Sequence, residues 1–288
     1  MLRSRRCFAV VSALLLVMAV LAHGVAGTPT AVAATPVVKV YPTSGTVGFP
    51  VKVAFSGFPK NATLTVTWDG KSLATTKTSV AGDGSVAIHV PIGKKGSHKV
   101  KATVGSTSAT TTFTIVPKLT LTPTNSAVGR TLSVTLRGYA ANEAIALKWD
   151  SSTAKTLLTV TASSSGSASA NVVVPHTTFG QHKLVGRGTT GSLSSARLQI
   201  ASTIRLRPAS GPAGTNLQVV LRGFAANEYI EVQWRDANGT RSLGFGTASG
   251  LGSLDKTVKV PTSAAPGNYT ILAVGYSGSA VQAPYQVT

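Results

Sequence analysis

The sequence is short of four things, and each shortage excludes something. Its only cysteine among 288 residues is Cys7, so no intrachain disulfide can hold it together. It carries eight Asp plus Glu against 27 Lys plus Arg, for a net charge of +19. Acid this sparse argues against a calcium site, which needs several carboxylates close together. No segment has a helical hydrophobic period. That excludes a nucleophile elbow or a phosphate-cradling loop, each of which opens onto a helix. Beyond the N-terminal segment, no apolar run approaches the length of a membrane span.

What is abundant points to strands and turns. There are 29 Gly and 14 Pro, and hydrophobic residues make up 43% of the chain, enough for folded cores. Val and Thr favour strands, and Gly, Pro and Ser favour turns.

The first segment reads as a targeting element. Arg3, Arg5 and Arg6 form a basic region, an apolar run follows from Phe8 to Ala22, and small residues lead to Ala31-Val32-Ala33-Ala34. This is the layout of a secretory signal peptide over residues 1–34, cleaved after Ala33 or Ala34. Cys7 opens the apolar run, whereas a lipoprotein cysteine would close it. Removing the three arginines from +19 leaves a mature charge of +16. The mature chain is expected outside the cell or at its surface, without a transmembrane span or a cofactor.

The rest repeats three times. Tyr41-Pro42, Thr122-Pro123 and Arg207-Pro208 each precede, by fifteen residues from the proline, a Gly-aromatic pair: Gly57-Phe58, Gly138-Tyr139 and Gly223-Phe224. Eleven residues after each of these glycines stands one of the three tryptophans, Trp68, Trp149 and Trp234. Val90-Pro91, Val174-Pro175 and Val260-Pro261 close a later strand in each copy. Within copies the period is two: Val51, Val53 and Phe55 alternate with Lys52 and Ala54, and Leu64, Val66 and Trp68 follow the same rule. Alternation of this kind belongs to sheets with one wet face. Asp69-Gly70 is a hairpin signal. The reading is all-β: three tandem immunoglobulin-like sandwiches over 35–116, 117–201 and 202–288, with about seven strands each. The short joints Val116-Pro117-Lys118 and Ala201-Ser202-Thr203 predict a short, semi-rigid array.

The opening phrase Pro42-x-Ser44-Gly45-x-x-Gly48 through Gly57-Phe58, and its counterpart from Pro208 through Gly223-Phe224, resembles bacterial immunoglobulin-like repeats of the IPT/TIG type. Copy two keeps Pro123, Gly129, Gly138 and Tyr139 but has Asn125-Ser126 in place of Ser-Gly. Pro266-Gly267-Asn268-Tyr269 is similar to the sixth-strand opening of many such modules. The resemblance implies an extracellular binding or spacer module without shared catalytic residues. Neocarzinostatin-type carriers open similarly but rely on disulfides, which this mature chain lacks.

Several sets of side chains bear on function. The tryptophans fall in register with inward residues, so Trp68, Trp149 and Trp234 are read as structural core. His98 and His182 share one position that Tyr269 takes in copy three, which fits a residue bonding back to the chain at a corner. Asp69 and Asp150 are read as turn residues. The basic excess is the functional signal. Lys52, Lys94, Lys95, Lys99, Lys101, Arg137, Lys148, Lys183, Arg187, Arg222 and Arg235 are the candidates for holding a polyanion. The expected partner is an anionic cell-wall polymer or polysaccharide, or another surface protein. Sequence-specific nucleic-acid binding has no reading motif to support it. The resulting reading is a non-catalytic array for adhesion, spacing or binding to an anionic envelope polymer. The alternative is a carbohydrate-binding protein using exposed loop aromatics among Phe49, Phe58, Tyr139, Phe179, Phe224, Phe245 and Tyr276.

Overall fold

The computed structural model describes residues 34–288; the segment 1–34 read as a signal peptide lies outside the described residues save for Ala34. Each copy of the repeat is an eight-segment sandwich. The first is built from β1 (Val37–Tyr41), β2 (Ser44–Gly45), β3 (Pro50–Ser56), β4 (Thr63–Trp68), β5 (Lys71–Lys77), β6 (Gly84–His89), β7 (Gly96–Val104) and β8 (Thr107–Ile115). The second comprises β9 (Lys118–Thr122), β10 (Asn125–Ser126), β11 (Thr131–Arg137), β12 (Ala144–Trp149), β13 (Thr156–Thr161), β14 (Ala168–Val173), β15 (Gly180–Gly188) and β16 (Leu193–Ile200). The third comprises β17 (Thr203–Arg207), β18 (Ser210–Gly211), β19 (Asn216–Arg222), β20 (Tyr229–Asp236), β21 (Gly239–Thr247), β22 (Leu254–Lys259), β23 (Gly267–Gly275) and β24 (Ala280–Val287).

In the first sandwich a three-stranded sheet, β1-β3-β6, faces a five-stranded one, β2-β8-β7-β4-β5. The other two repeat this order, and the fold is immunoglobulin-like. Where seven strands were expected, the first is split in two. β1 pairs antiparallel with β3, the chain changes sheets at the cis peptide Tyr41–Pro42, and β2 pairs parallel with β8. Two residues of pairing leave no alternation to read, and a proline without an N–H cannot extend the first ladder.

Alternation decides the interior. Val51, Val53, Leu64, Val66 and Val100 bury their side chains against Phe113 and Ile115 in the first core. Leu132, Val134, Leu136, Ile145 and Leu147 fill the second, and Leu217, Val219, Leu221, Ile230 and Val232 the third. The weak strand expected near Leu73–Thr78 forms the edge strand β5. The ladder to this edge strand carries a register break in every copy, at Val66/Thr67, Leu147/Lys148 and Val232/Gln233. Such bulges blunt a free edge against pairing with another chain.

The joints between sandwiches are built alike. Lys95 N donates to Tyr139 O at 2.8 Å, and at the same position in the next copy Phe179 N donates to Phe224 O at 3.4 Å. Gly138 and Gly223 let neighbouring backbone approach closely. A β-carbon at Gly138 would stand 2.8 Å from the Val116 carbonyl oxygen, and one at Gly223 2.8 Å from that of Ala201.

Candidate binding surfaces

The tryptophan, histidine and aspartate of the first two copies form one constellation. Asp69 sits at the hairpin after β4 with φ 48°, a conformation that Asp tolerates better than most residues. Its carboxylate accepts from Lys99 N at 2.8 Å and from His98 Nδ1 at 2.6 Å. The other ring nitrogen, Nε2, lies 2.8 Å from Lys94 O, and the imidazole stacks on Trp68 with centroids 5.5 Å apart. Copy two repeats each contact: His182 meets Asp150 at 2.8 Å and Thr178 O at 2.9 Å, and stacks on Trp149 at 5.5 Å. In copy three Tyr269 replaces the histidine, its hydroxyl donating to Ala265 O at 2.9 Å and its ring 4.4 Å from Trp234. The corner reading of His98 and His182 describes half of this arrangement. The aspartates are turn residues that also hold the histidines, a pairing across about thirty residues that strand periodicity does not reveal.

Both ring nitrogens of His98 and of His182 face protein oxygens, Asp69 Oδ2 and Lys94 O in the first sandwich and Asp150 Oδ2 and Thr178 O in the second. Burial pushes the Asp69 carboxyl up, but the hydrogen bonds from His98 and the Lys99 amide outweigh it and hold the carboxyl below its usual value. Glu143 is a second engaged acid. Burial raises it, while the neighbouring hydroxyls of Ser192 and Thr190 and the amides of Ala140 and Thr190 bring it down to about 2. Among the described residues no three His, Cys, Asp or Glu side chains gather in a metal-binding group.

The tryptophans differ from one another. Trp68 and Trp234 are buried, whereas Trp149 is half-buried and packs at the margin of its core. Aromatic neighbours explain the difference: Phe113 stands 5.5 Å from Trp68 and Tyr285 stands 6.2 Å from Trp234. The matching position beside Trp149 is Leu198, across the ladder from His182.

The candidate cations fall on both sides of the sandwiches. Lys52, Arg137 and Arg222 lie on the three-stranded sheets, and Arg222 is held by a bidentate pair with Asp255. Lys94 and Lys95 belong to the joint between the first two sandwiches. Lys95 is half-buried there, and the Lys94 carbonyl is taken by His98.

Lys99, Lys101, Lys148, Lys183, Arg187 and Arg235 point outward from the five-stranded sheets. In the first sandwich Lys101 lies between Thr67 and Thr110 in the ladder. In the second, Lys183 faces Arg197 directly across the ladder, Arg187 faces Ala146, and Lys148 faces Val185. Arg197 was missed from sequence, although its parity in β16, opposite to buried Leu198, was available to find it. Among the described residues the ion pairs within 4.0 Å involve His98, His182, Arg222 and Arg241. The cations of this face are left without a carboxylate at that range.

The third sandwich differs on the corresponding face. Where the first two have Lys99 and Lys183 it has Thr270, and where they have Lys101 and Val185 it has Leu272. Tyr229, Phe245 and Tyr276 cluster there, exposed by 49%, 40% and 71%. The rings of Tyr229 and Phe245 are stacked 8° from parallel at 5.5 Å, with Tyr276 5.5 Å from Tyr229. Glu231 lies across the ladder from Phe245, and its carboxylate takes a hydrogen bond from Gln233. Of the remaining loop aromatics, Phe58, Tyr139 and Phe224 are buried, while Phe49 and Phe179 are exposed.

No protein-family model matches the chain, and neither does any curated protein. Solved structures do. The tetra-tandem repeat in the extending region of a large adhesion protein is 20% identical, over 89% of this chain and 74% of that one, with a TM-score of 0.29. The Yersinia pseudotuberculosis adhesin InvE is 11% identical, over 58% and 59%, with a TM-score of 0.30. SGBP-B of the Bacteroides ovatus mixed-linkage glucan utilization locus, solved with a mixed-linkage heptasaccharide, is 18% identical, over 84% and 63%, with a TM-score of 0.30. This chain spans about three fifths of the latter two. At such scores these likenesses carry no functional inference.

Proposed function

We propose that the chain is exported under the direction of residues 1–34 and acts without catalysis outside the cell, as a tandem IPT/TIG-like binding array. Its ligand is an anionic envelope polymer, held by the outward faces of the five-stranded sheets of the first two sandwiches. One observation carries this reading: Lys148, Lys183, Arg187 and Arg197 share a single sheet face, and among the described residues none of their side chains has a carboxylate within 4.0 Å, the nearby Asp150 being held by His182 and the Lys183 amide. Like charges facing one another across a ladder disfavour the folded sheet. A bound polyanion removes that cost and gains the Coulomb attraction instead. Retention of the mature chain on purified cell-wall polymer at low and high salt tests it. The expected result is strong retention at low salt, lost at high salt and weakened in a K148A/K183A/R187A variant. Retention that ignores salt removes the electrostatic basis.

A second reading rests on the third sandwich. Exposed rings beside a carboxylate and an amide suit the apolar face and hydroxyls of a neutral sugar chain. Neutral-glycan array binding that disappears in Y229A and Y276A would support it; an array without any binding would reject it.

A further inference from the structure

The joint between the second and third sandwiches forms a cleft of about 660 Å³ that no candidate residue from sequence, save Arg222, had marked. Its walls come from two sandwiches. The loop after β10 supplies Val128 and Arg130, and His176 follows β14. The outward face of β17 supplies Arg205 and Arg207, and β19 supplies Arg222. The carboxylate at this site is Asp255, already committed to Arg222. That pair holds the Asp255 carboxyl below its usual value against burial, and Arg207 acts on it in the same direction. His176 is fixed across the joint by Ser253, with Nδ1 to Oγ at 3.0 Å. No carboxylate stands within 4.0 Å of Arg130, Arg205 or Arg207 among the described residues.

The first joint provides an internal control, because it is assembled from the same elements. At the positions of Arg130, His176, Arg205 and Arg207 it has Phe49, Ile92, Thr120 and Thr122. Only Arg137, matching Arg222, is shared. Four positions distant in sequence have thus become cationic or imidazole-bearing at one joint, where folding brings them together. Apart from His176, four arginines and one aspartate leave three net positive charges around the cleft. Guanidinium groups pair in a forked manner with tetrahedral oxyanions, and three unpaired forks in one concavity call for several negative charges at short spacing.

We propose that this cleft binds successive phosphate groups of a phosphate-bearing chain. The inference rests on the polyanion reading above and assigns it a specific site and ligand chemistry. The test is titration of the mature chain with medium-chain polyphosphate, with inorganic phosphate as the separate arm for a free ion. The R205A/R207A variant is expected to weaken polyphosphate binding by about tenfold or more, since each charged hydrogen bond lost is worth that order. R130A, on the other sandwich, is expected to weaken it independently, so the outcome does not depend on one folded variant. K60A, an exposed lysine of the first sandwich outside both the cleft and the candidate set, should bind like the parent, and inorganic phosphate should bind every form far more weakly than the chain does. If R205A/R207A and R130A bind polyphosphate as the parent does while K148A/K183A/R187A does not, the cleft is wrong and the sheet-face reading stands. If the parent binds no polyanion in any salt, both fall together. Inorganic phosphate binding as tightly as polyphosphate would overturn the chain ligand in favour of a single-ion site.

Discussion

The Glu143 carboxylate lies against Gly188, in space that a β-carbon at residue 188 would enter. Glu228 and Gly275 repeat the relation in the third sandwich. In the first, the matching pair is Ala62 and Val104, so the large and small members have changed places. Two further positions change with them. The carboxylate of Glu143 accepts from Ala140 N at 3.0 Å and Thr190 N at 2.7 Å. At the position of Ala140 the first sandwich has Pro59, which has no N–H to satisfy. There Thr78, where the others have Ala162 and Ala248, donates to Pro59 O at 2.6 Å and accepts from Ala62 N at 2.9 Å. Two solutions to the same buried loop thus occur in one chain.

This predicts energetic coupling. Replacing Glu143 by Ala leaves two amides without their acceptor, which costs about 1–3 kcal/mol for each group left unpaired. Gly188→Val alone overlaps the carboxylate and is also destabilising. The double variant adopts the pairing of the first sandwich and should recover about 1 kcal/mol or more relative to the sum. Urea unfolding of the full mature chain in a W68F/W234F background, where Trp149 reports the second sandwich alone, measures the cycle.

The same carboxylate makes the second sandwich acid-sensitive in a defined window. Its folded value of about 2 lies below the ordinary 4.5, so the unfolded state binds the proton first as pH falls. Glu143 therefore contributes its full stabilisation above about pH 4.5 and loses it progressively toward pH 2. Urea midpoints measured through Trp149 between pH 6 and pH 3 should fall, and Glu143→Gln should flatten that fall. Equal slopes for parent and variant would contradict the assignment.

Asp69 offers a spectroscopic check on the histidine corner. Its carboxyl is held below the ordinary 3.8 despite burial, chiefly by the hydrogen bond from His98. Its contribution to stability is present above the unfolded value and is lost as acid protonates the folded carboxylate. Carboxyl-carbon NMR should give a midpoint below 3.8, and His98→Ala should move it upward. A midpoint unmoved by that substitution would mean that the pair is not formed in solution.

The tryptophans should be unequal in solution. Trp149 is half-buried while Trp68 and Trp234 are buried, so acrylamide should quench a fluorophore retained only at 149 more strongly than one retained only at 68 or 234. Leu198→Phe supplies the aromatic neighbour present in the other copies and should reduce that quenching.

Much of the architecture was legible in the chain. Alternation at Val51-Val53-Phe55 and Leu64-Val66-Trp68 marks the buried faces because side-chain direction in a strand has a period of two. The spacing from each proline to its Gly-aromatic pair and its tryptophan announced three copies. The cations Lys99, Lys101, Lys148, Lys183 and Arg187 announced the wet faces by the same parity. Other features depended on the folded state. The Asp69–His98 pair, the Lys183–Arg197 opposition and the cleft between Arg130 and Arg205 join residues far apart in sequence. Local periodicity sets which way a side chain points but carries no record of which strand will lie beside it. The ladders, and the docking of one sandwich on the next through Phe179 and Phe224, decided those neighbours.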